Sequence, residues 1–278
     1  MAILSVQSQV AYGYVGNKAA AYPLQNMGYD VWTVNTVQFS NHTGYDNWRG
    51  QEFSSEHIRD IFAGIEELGV YPKCRAVLSG YVGSRTIHAE ICKTVMRVKK
   101  QNPNAIYLCD PVIGDIPRGI FVKPDIITQF LEAMSRPEYE IDIITPNHFE
   151  AETLSKIQIQ KLEDAKEVAA FFHKLGIKIV LITSLRLKKD SQEKLHIFLS
   201  TNNQSLILST EYYPFSFTLH GTGDLFSALF LGLYLKSRNP IEALKQTVVM
   251  MDKVVKKTFV AKSKELLVTS INYADIES

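Results

Sequence analysis

One short stretch of this chain carries the residue types that act on phosphates. Leu219-His220-Gly221-Thr222-Gly223-Asp224 leads directly into the apolar run LFSALFLGLYL. Two glycines and a carboxylate ahead of a helix have two uses. As local structure, Gly and Thr favour the turn and Asp faces the positive end of the helix dipole. As chemistry, glycines let backbone N–H groups approach a phosphate while the carboxylate acts on what is bound there. On this stretch alone both readings stay open. Polar residues also close several apolar, β-branched runs: Ser8 in AILSVQSQ, Ser79, Gly80 and Tyr81 in AVLSGY, and Asp110 in AIYLCDP. Thr145 and Asn147 do so in IDIITPN, and Thr183 and Ser184 in VLITS. Each alone is an ordinary cap or turn residue. Together they describe a cleft for a polar, phosphorylated ligand, because an open parallel sheet binds ligands outside the carboxyl ends of its strands. GYVGNK lacks the spacing of a P-loop, and no G-x-G-x-x-G follows a strand, so a phosphate cradle falls to GTGD itself.

Positioning these residues requires strands that alternate with helices. AILSV, VWTVNTV, CRAVLSG, AIYLCDP, IDIITPN and KIVLITS read as strands, with amphipathic helices predicted over Ser54–Leu68, Ser84–Lys100 and Leu162–Leu175. Continuous apolar strands alternating with helices predict an α/β fold: a mostly parallel central sheet with helices on both faces. After VLITS the texture changes. LHIFLS and SLILSTEYY suggest an antiparallel pair around TNNQ, followed by helices from Asp224 and from Pro240. Residues 35–48 are rich in β-branched, aromatic and turn types and suggest a small flap at the sheet edge. With no repeat or linker evident, residues 1–278 are expected to form one domain.

Bulk properties narrow the function classes. The chain has 278 residues, 46% of them hydrophobic, enough for a large core. A net charge of +1, with only Arg186, Lys188 and Lys189 as a short basic run, argues against a nucleic-acid binder. The opening MAILSVQSQV lacks the pattern of a signal peptide, and no apolar run reaches the roughly 18 residues of a membrane span. Cys74, Cys92 and Cys109 form no CxxC pair and fit reduced, structural thiols. The expectation is a soluble cytoplasmic globular protein.

At this point the motifs resemble a known family. GTGD opening a helix is similar to the signature of ribokinase-like kinases. SVQSQVAYGYVGNKAA, VNTVQFSNHTGY, DPVIGD and TPNHFEAE narrow the resemblance to the pyridoxal kinases, over about Leu4 to Val260. That resemblance implies ATP-dependent phosphorylation of the 5′-hydroxyl of pyridoxal, pyridoxine and pyridoxamine with Mg²⁺, aided by a monovalent cation such as K⁺, in a homodimer. It implies that Asp224 is the catalytic base and that Gly221, Thr222 and Gly223 form the anion hole. It also implies that Asp110, Asp115 and Glu150 stand around the ATP phosphates and the metal, with Asp115 and Glu150 on the metal. Thr145, Asn147, Thr183 and Ser184 match nucleotide contacts, and Ser8, Thr43 and Tyr81 match pyridoxal contacts. Where the family usually writes TPNQFE, this chain has His148, expected to be a partly exposed helix-start residue. The loop STEYYPFSFTLH matches no family pattern. The rival readings are a hydroxymethylpyrimidine or sugar kinase of the same fold and a non-catalytic vitamin B6 binder. SNHTGY and SVQSQVAYGYVGN speak against the first rival, and retention of Asp224 and the acidic residues speaks against the second.

Overall fold

A computed structural model describes residues 1–188 and 194–274 of the chain; Lys189 of the short basic run lies outside the described residues. In chain order the elements are β1 (Ala2–Val10), α1 (Asn17–Asn26), β2 (Asp30–Phe39), β3 (Gly50–Glu52), α2 (Ser55–Glu67), β4 (Cys74–Ser79), α3 (Arg85–Gln101) and β5 (Ile106–Cys109). There follow β6 (Gly114–Asp115), β7 (Gly119–Ile120), α4 (Pro124–Met134), β8 (Ile143–Ile144), α5 (His148–Ser155) and α6 (Leu162–Lys174). The chain then forms β9 (Ile179–Leu185), β10 (Lys194–Thr201), β11 (Ser205–Glu211), α7 (Thr222–Ser237) and α8 (Pro240–Val260). Nine strands make one sheet in the order β11-β10-β9-β8-β5-β4-β1-β2-β3. The six from β9 to β2 run parallel, while β10, β11 and β3 join antiparallel at the edges. This is the mostly parallel α/β sheet that the strand and helix periodicities predict.

The side-chain period of two along each strand divides the core into two layers. Leu4 and Val6 of β1, Val77 of β4, and Val180 and Ile182 of β9 pack against α2, α3, α4, α5 and α6. Their neighbours Ile3, Ala76, Leu78, Ile179 and Leu181 face the opposite layer, built from α1, α7 and α8. Both faces are therefore covered, and every parallel strand must be apolar on both sides. The three amphipathic helices lie within a residue or so of their predicted ends. Ser54 and Ser84 cap two of them by accepting the amides of His57 and Ile87.

Several elements differ from the sequence expectation. β1 continues past Ser8 to Val10, and its register against β2 slips between Gln7 and Gln9. Ser8 thus sits at a bulge, which can turn a side chain out of the pleat, rather than at a strand end. β8 is only two residues long because Pro146 removes the next donor and the chain turns into α5. β11 stops at Glu211, short of the two tyrosines. Helices α1 and α4 are not evident in the sequence, and α1 carries Pro23 inside it, whereas α5 begins at His148, the helix start expected there.

The apolar helix α7 is buried on most of its circumference, from Leu225 through Leu235, among α1, α8 and the sheet. Among the described residues no helix is long and apolar enough to cross a membrane. Phe230 is fully buried on α7 with its ring stacked 6.0 Å from that of Tyr234. Phe230→Ala is expected to lower unfolding stability by about 3–5 kcal/mol through lost burial and the cavity left behind. Urea denaturation measures this, and a loss below about 1 kcal/mol would show that the layer around α7 collapses to fill the space.

Candidate active site

The residues singled out from sequence meet in one cleft of about 1020 Å³ outside the carboxyl ends of the strands. Ser8, Thr43, Tyr81, Asp110, Asp115, Thr145, Asn147, Glu150, Thr183, Ser184, Gly221, Thr222, Gly223 and Asp224 all line it. Strand order explains the convergence: β1, β4, β5, β8 and β9 are neighbours in the sheet and run the same way, so their trailing loops share one rim.

The turn before α7 is fixed by backbone crowding. Gly221 is the N-cap residue with φ 85°, and a Cβ there would strike the carbonyl of Tyr14. Gly223 is different. A Cβ would meet only Asp110 Oδ2, at 3.8 Å, so the missing side chain leaves the backbone open to the cleft rather than relieving a clash. No side chain caps this helix, and the first-turn amides of Thr222, Gly223 and Asp224 have no intrahelical acceptor. They present N–H groups and the positive end of the dipole to an anion. Asp224 is partly open to the cleft and receives the Gly16 amide, while burial raises its carboxyl pKa above the ordinary range. Gly16, with φ 55°, has its Cβ direction filled by the Ser8 backbone carbonyl, which ties the base region to the bulge.

Behind Asp224 lies an acidic group. Asp110 is 4% exposed and accepts from Ser227 Oγ at 3.0 Å, and Ser227 in turn meets Thr145 Oγ1 at 2.9 Å. Glu150 Oε1 accepts the amides of Ile113 at 2.9 Å and Gly114 at 3.4 Å, and its Oε2 accepts the amide of Asn147 at 2.9 Å. Asn147 returns the bond, taking the Glu150 amide at 3.0 Å, and donates from Nδ2 to Gly114 O at 2.8 Å. Three amides on a carboxylate with roughly four acceptor sites leave Glu150 little capacity for a further ligand. Asp115 is the reverse: its Oδ1 is buried with no partner among the described residues. Burial first, then mutual repulsion, drives the Asp110 pKa well upward; burial drives that of Glu150 upward against the pull of its three amides.

Hard oxygen donors and an orphaned carboxylate oxygen suit Mg²⁺, which keeps several waters and takes other ligands from substrate phosphates. Among the described residues no three His, Cys, Asp or Glu side chains could enclose an ion by themselves. A metal here would rest on one or two carboxylates, Asp115 foremost, and on bound phosphate.

The remaining expectations fall as follows. His148 starts α5; its Nδ1 accepts the Arg186 amide at 3.2 Å and its Nε2 lies 3.2 Å from Glu152, so it ties α5 to the loop after β9. Thr183 donates its amide to Pro146 O at 2.9 Å, and Ser184 follows in the left-handed region with φ 50°. Cys74, Cys92 and Cys109 are free and buried. Sequence reasoning did not identify Val248, Met251 and Val255 of α8, which give the cleft an apolar wall. Their i, i+3, i+7 spacing was a readable signal. It also missed Arg118 and Phe121 around the β6–β7 hairpin, and His220, whose pKa burial lowers to about 4, helped by His42 and Arg118.

The chain is similar to known proteins over nearly its whole length. The phosphomethylpyrimidine kinase family model matches residues 29–268. The pyridoxal kinase PdxY of Granulibacter bethesdensis is 42% identical over 271 residues, covering 96% of this chain and 93% of the relative. That of Rubrobacter xylanophilus is 41% identical over 265 residues, covering 95% and 90%. Among solved structures, the pyridoxal kinase of Leishmania donovani in complex with ADP and pyridoxamine superposes with a TM-score of 0.89 at 31% identity, covering 97% of this chain and 93% of that one. The enzyme of Trypanosoma brucei gives 0.86 at 28% identity, covering 100% and 96%.

The acidic group sets a pH dependence. A carboxyl whose folded pKa is raised stabilises the fold below its unfolded value of about 3.9 and loses that contribution as pH rises toward the raised value. Without nucleotide or divalent metal, Asp110→Asn is therefore expected to be more stable than the parent at pH 8, by on the order of 1–2 kcal/mol or a few degrees in Tm, and equal to it near pH 4. Thermal unfolding at both pH values tests this. A variant less stable at pH 8, or equally shifted at both, would place the Asp110 charge in a compensated site.

Proposed function

The chain belongs to the phosphomethylpyrimidine kinase family and, within it, to the pyridoxal kinases, and on that premise we propose how its residues divide the work. It transfers the γ-phosphoryl group of ATP to the 5′-hydroxyl of pyridoxal, giving pyridoxal 5′-phosphate and ADP. Pyridoxine and pyridoxamine carry the same hydroxymethyl group and are substrates on the same grounds.

Asp224 takes the proton of the substrate hydroxyl as its oxygen attacks the γ-phosphorus. Its raised pKa brings it closer to the operating pH, where a base is more effective. The amides of Thr222, Gly223 and Asp224 face the transferred group and offset its equatorial charge, with no reorganisation needed at the moment of transfer. Ser8 and Tyr81, from the β1 bulge and the end of β4, hold the pyridine ring with Thr43 of the flap loop. The hydroxyls suit its polar edge, and the tyrosine suits its face. Thr145, Asn147, Thr183 and Ser184 hold the nucleotide, beside the apolar wall of α8. Asp115 would hold Mg²⁺, with Asp110 and Glu150 in the same acidic group, and the ion would supply positive charge to neutralise the phosphates. It also answers why four acidic groups can stand beside a polyanion. A monovalent cation and a homodimeric assembly, on family resemblance, and a cytoplasmic location, on the bulk sequence properties, complete the proposal.

The single observation that supports this reading best is the meeting of Asp224 and the unpartnered first-turn amides of α7 in the cleft that Ser8, Thr43 and Tyr81 also line. With ATP and Mg²⁺, purified protein is expected to form pyridoxal 5′-phosphate, and Asp224→Asn to lower kcat by about 10²–10⁴-fold while keeping the binding of both substrates. Coupled kinetics beside calorimetry measure this. Turnover of hydroxymethylpyrimidine with pyridoxal untouched would overturn the substrate. A variant within about threefold of the parent kcat would reduce Asp224 to a helix cap.

A further inference from the structure

Glu265 lies far from every motif, five residues past the end of α8, yet it meets the flap loop whose residues His42, Thr43 and Gly44 line the cleft. Its carboxylate is 10% exposed and contacts three donors. Oε1 accepts from Tyr45 Oη at 2.6 Å and from His42 Nε2 at 3.2 Å, both in the flap loop. Oε2 accepts the amide of Tyr14 at 3.2 Å, in the loop between β1 and α1. Gly13, with φ 88°, leaves the space the carboxylate fills, since a Cβ there would run into Glu265. Ser263 fixes the residue itself, donating to its carbonyl at 2.7 Å and accepting its amide at 3.2 Å.

The bonds are directional. The Gly44 amide donates to His42 Nδ1 at 3.2 Å, so a neutral His42 carries its proton on Nε2 and donates it to Glu265. The imidazole therefore bridges the carboxylate and the backbone on the far side of Thr43. Tyr45 holds the same stretch from its other end, so Thr43, itself exposed, is bracketed by two side chains on one oxygen. The His42 ring also lies against that of His220, next to Gly221, with centroids 4.4 Å apart and planes tilted by 42°. On the other arm, Tyr14 donates its amide to Glu265 while its carbonyl crowds Gly221. One carboxylate thus joins the flap loop to the turn that opens α7.

We infer that Glu265 is a positioning residue for the vitamin side of the cleft: it latches the loop bearing Thr43 to the turn bearing Gly221. The inference rests on the proposed function only for what the loop binds; the latch itself is independent of it. An amide in place of the carboxylate has one acceptor oxygen, so either orientation sets an N–H against a donor.

Glu265→Gln is expected to raise KM for pyridoxal about five- to thirtyfold, because charge-assisted bonds are lost. KM for ATP should stay within about twofold and kcat within about threefold. Tyr45→Phe, which removes one donor without burying a new polar group, should raise the same KM about two- to fivefold and add little in the Glu265→Gln background. Should the Glu265 variant fail to fold, Tyr45→Phe carries the kinetic test. Equal rises in both KM values, a change in kcat alone, or full additivity would overturn the latch. Hydrogen exchange without substrate gives the second readout: amides of residues 41–47 should exchange at least about tenfold faster in Glu265→Gln, with the α7 amides unchanged. Unchanged exchange in the loop overturns the inference even if the parent enzyme phosphorylates pyridoxal. If the parent does not phosphorylate pyridoxal, faster exchange keeps the latch and the substrate assignment alone fails.

Discussion

Like charge gathered in a dry place is the constraint on which the rest of the structure depends. Asp110, Asp115, Glu150 and Asp224 share one cleft, two of them all but removed from water. Left alone such a group repels itself and pays desolvation besides. The protein offsets the cost with dipoles rather than with basic side chains: three backbone amides on Glu150, the serine–threonine pair behind Asp110, and the Gly16 amide on Asp224. What remains uncompensated, above all Asp115 Oδ1, is the part that a cation can satisfy. Arginine or lysine in those places would have fixed the charge balance permanently and removed the pull on a cation.

Holding four carboxylates in place demands a stiff support. The sheet supplies it by burying alternate residues of each parallel strand in opposite layers, so that a strand cannot shift by one residue without moving its whole apolar set to the wrong layer. At the rim the regular pattern gives way. There, a bulge turns Ser8, a proline ends β8, and a capping box starts α5 with Asn147 and Glu150 already in their places. Fold and site are therefore linked at the strand ends, where hydrogen bonding stops being repetitive.

What could be read from sequence followed from range. Strand runs and three amphipathic helices were legible because period and caps are local properties, as with Ser54 and Ser84. The rim residues were legible because topology alone sends trailing loops to one side. α1 was not, because Pro23 inside it contradicts helix propensity and packing overrides it. The saturation of Glu150 by amides depends on the path of residues 113 and 114, and the role of Glu265 depends on partners more than 200 positions away. Tertiary contacts of that kind leave no periodic trace. His148 shows the middle case, where a residue change was visible and its tether to Arg186 was not.

The burial of α7 has a consequence for how the cleft can move. Leu225 through Leu235 are enclosed by α1, α8 and the sheet, so the helix belongs to the cooperative unit that opens only when the whole molecule does. The flap loop is exposed over most of its length and is held by a few side-chain bonds, so its local opening free energy is small. The two walls of the cleft therefore breathe at very different rates. Asp224 and the first-turn amides of α7 sit on the fixed wall, and whatever motion opens and closes the cleft belongs to the opposite one.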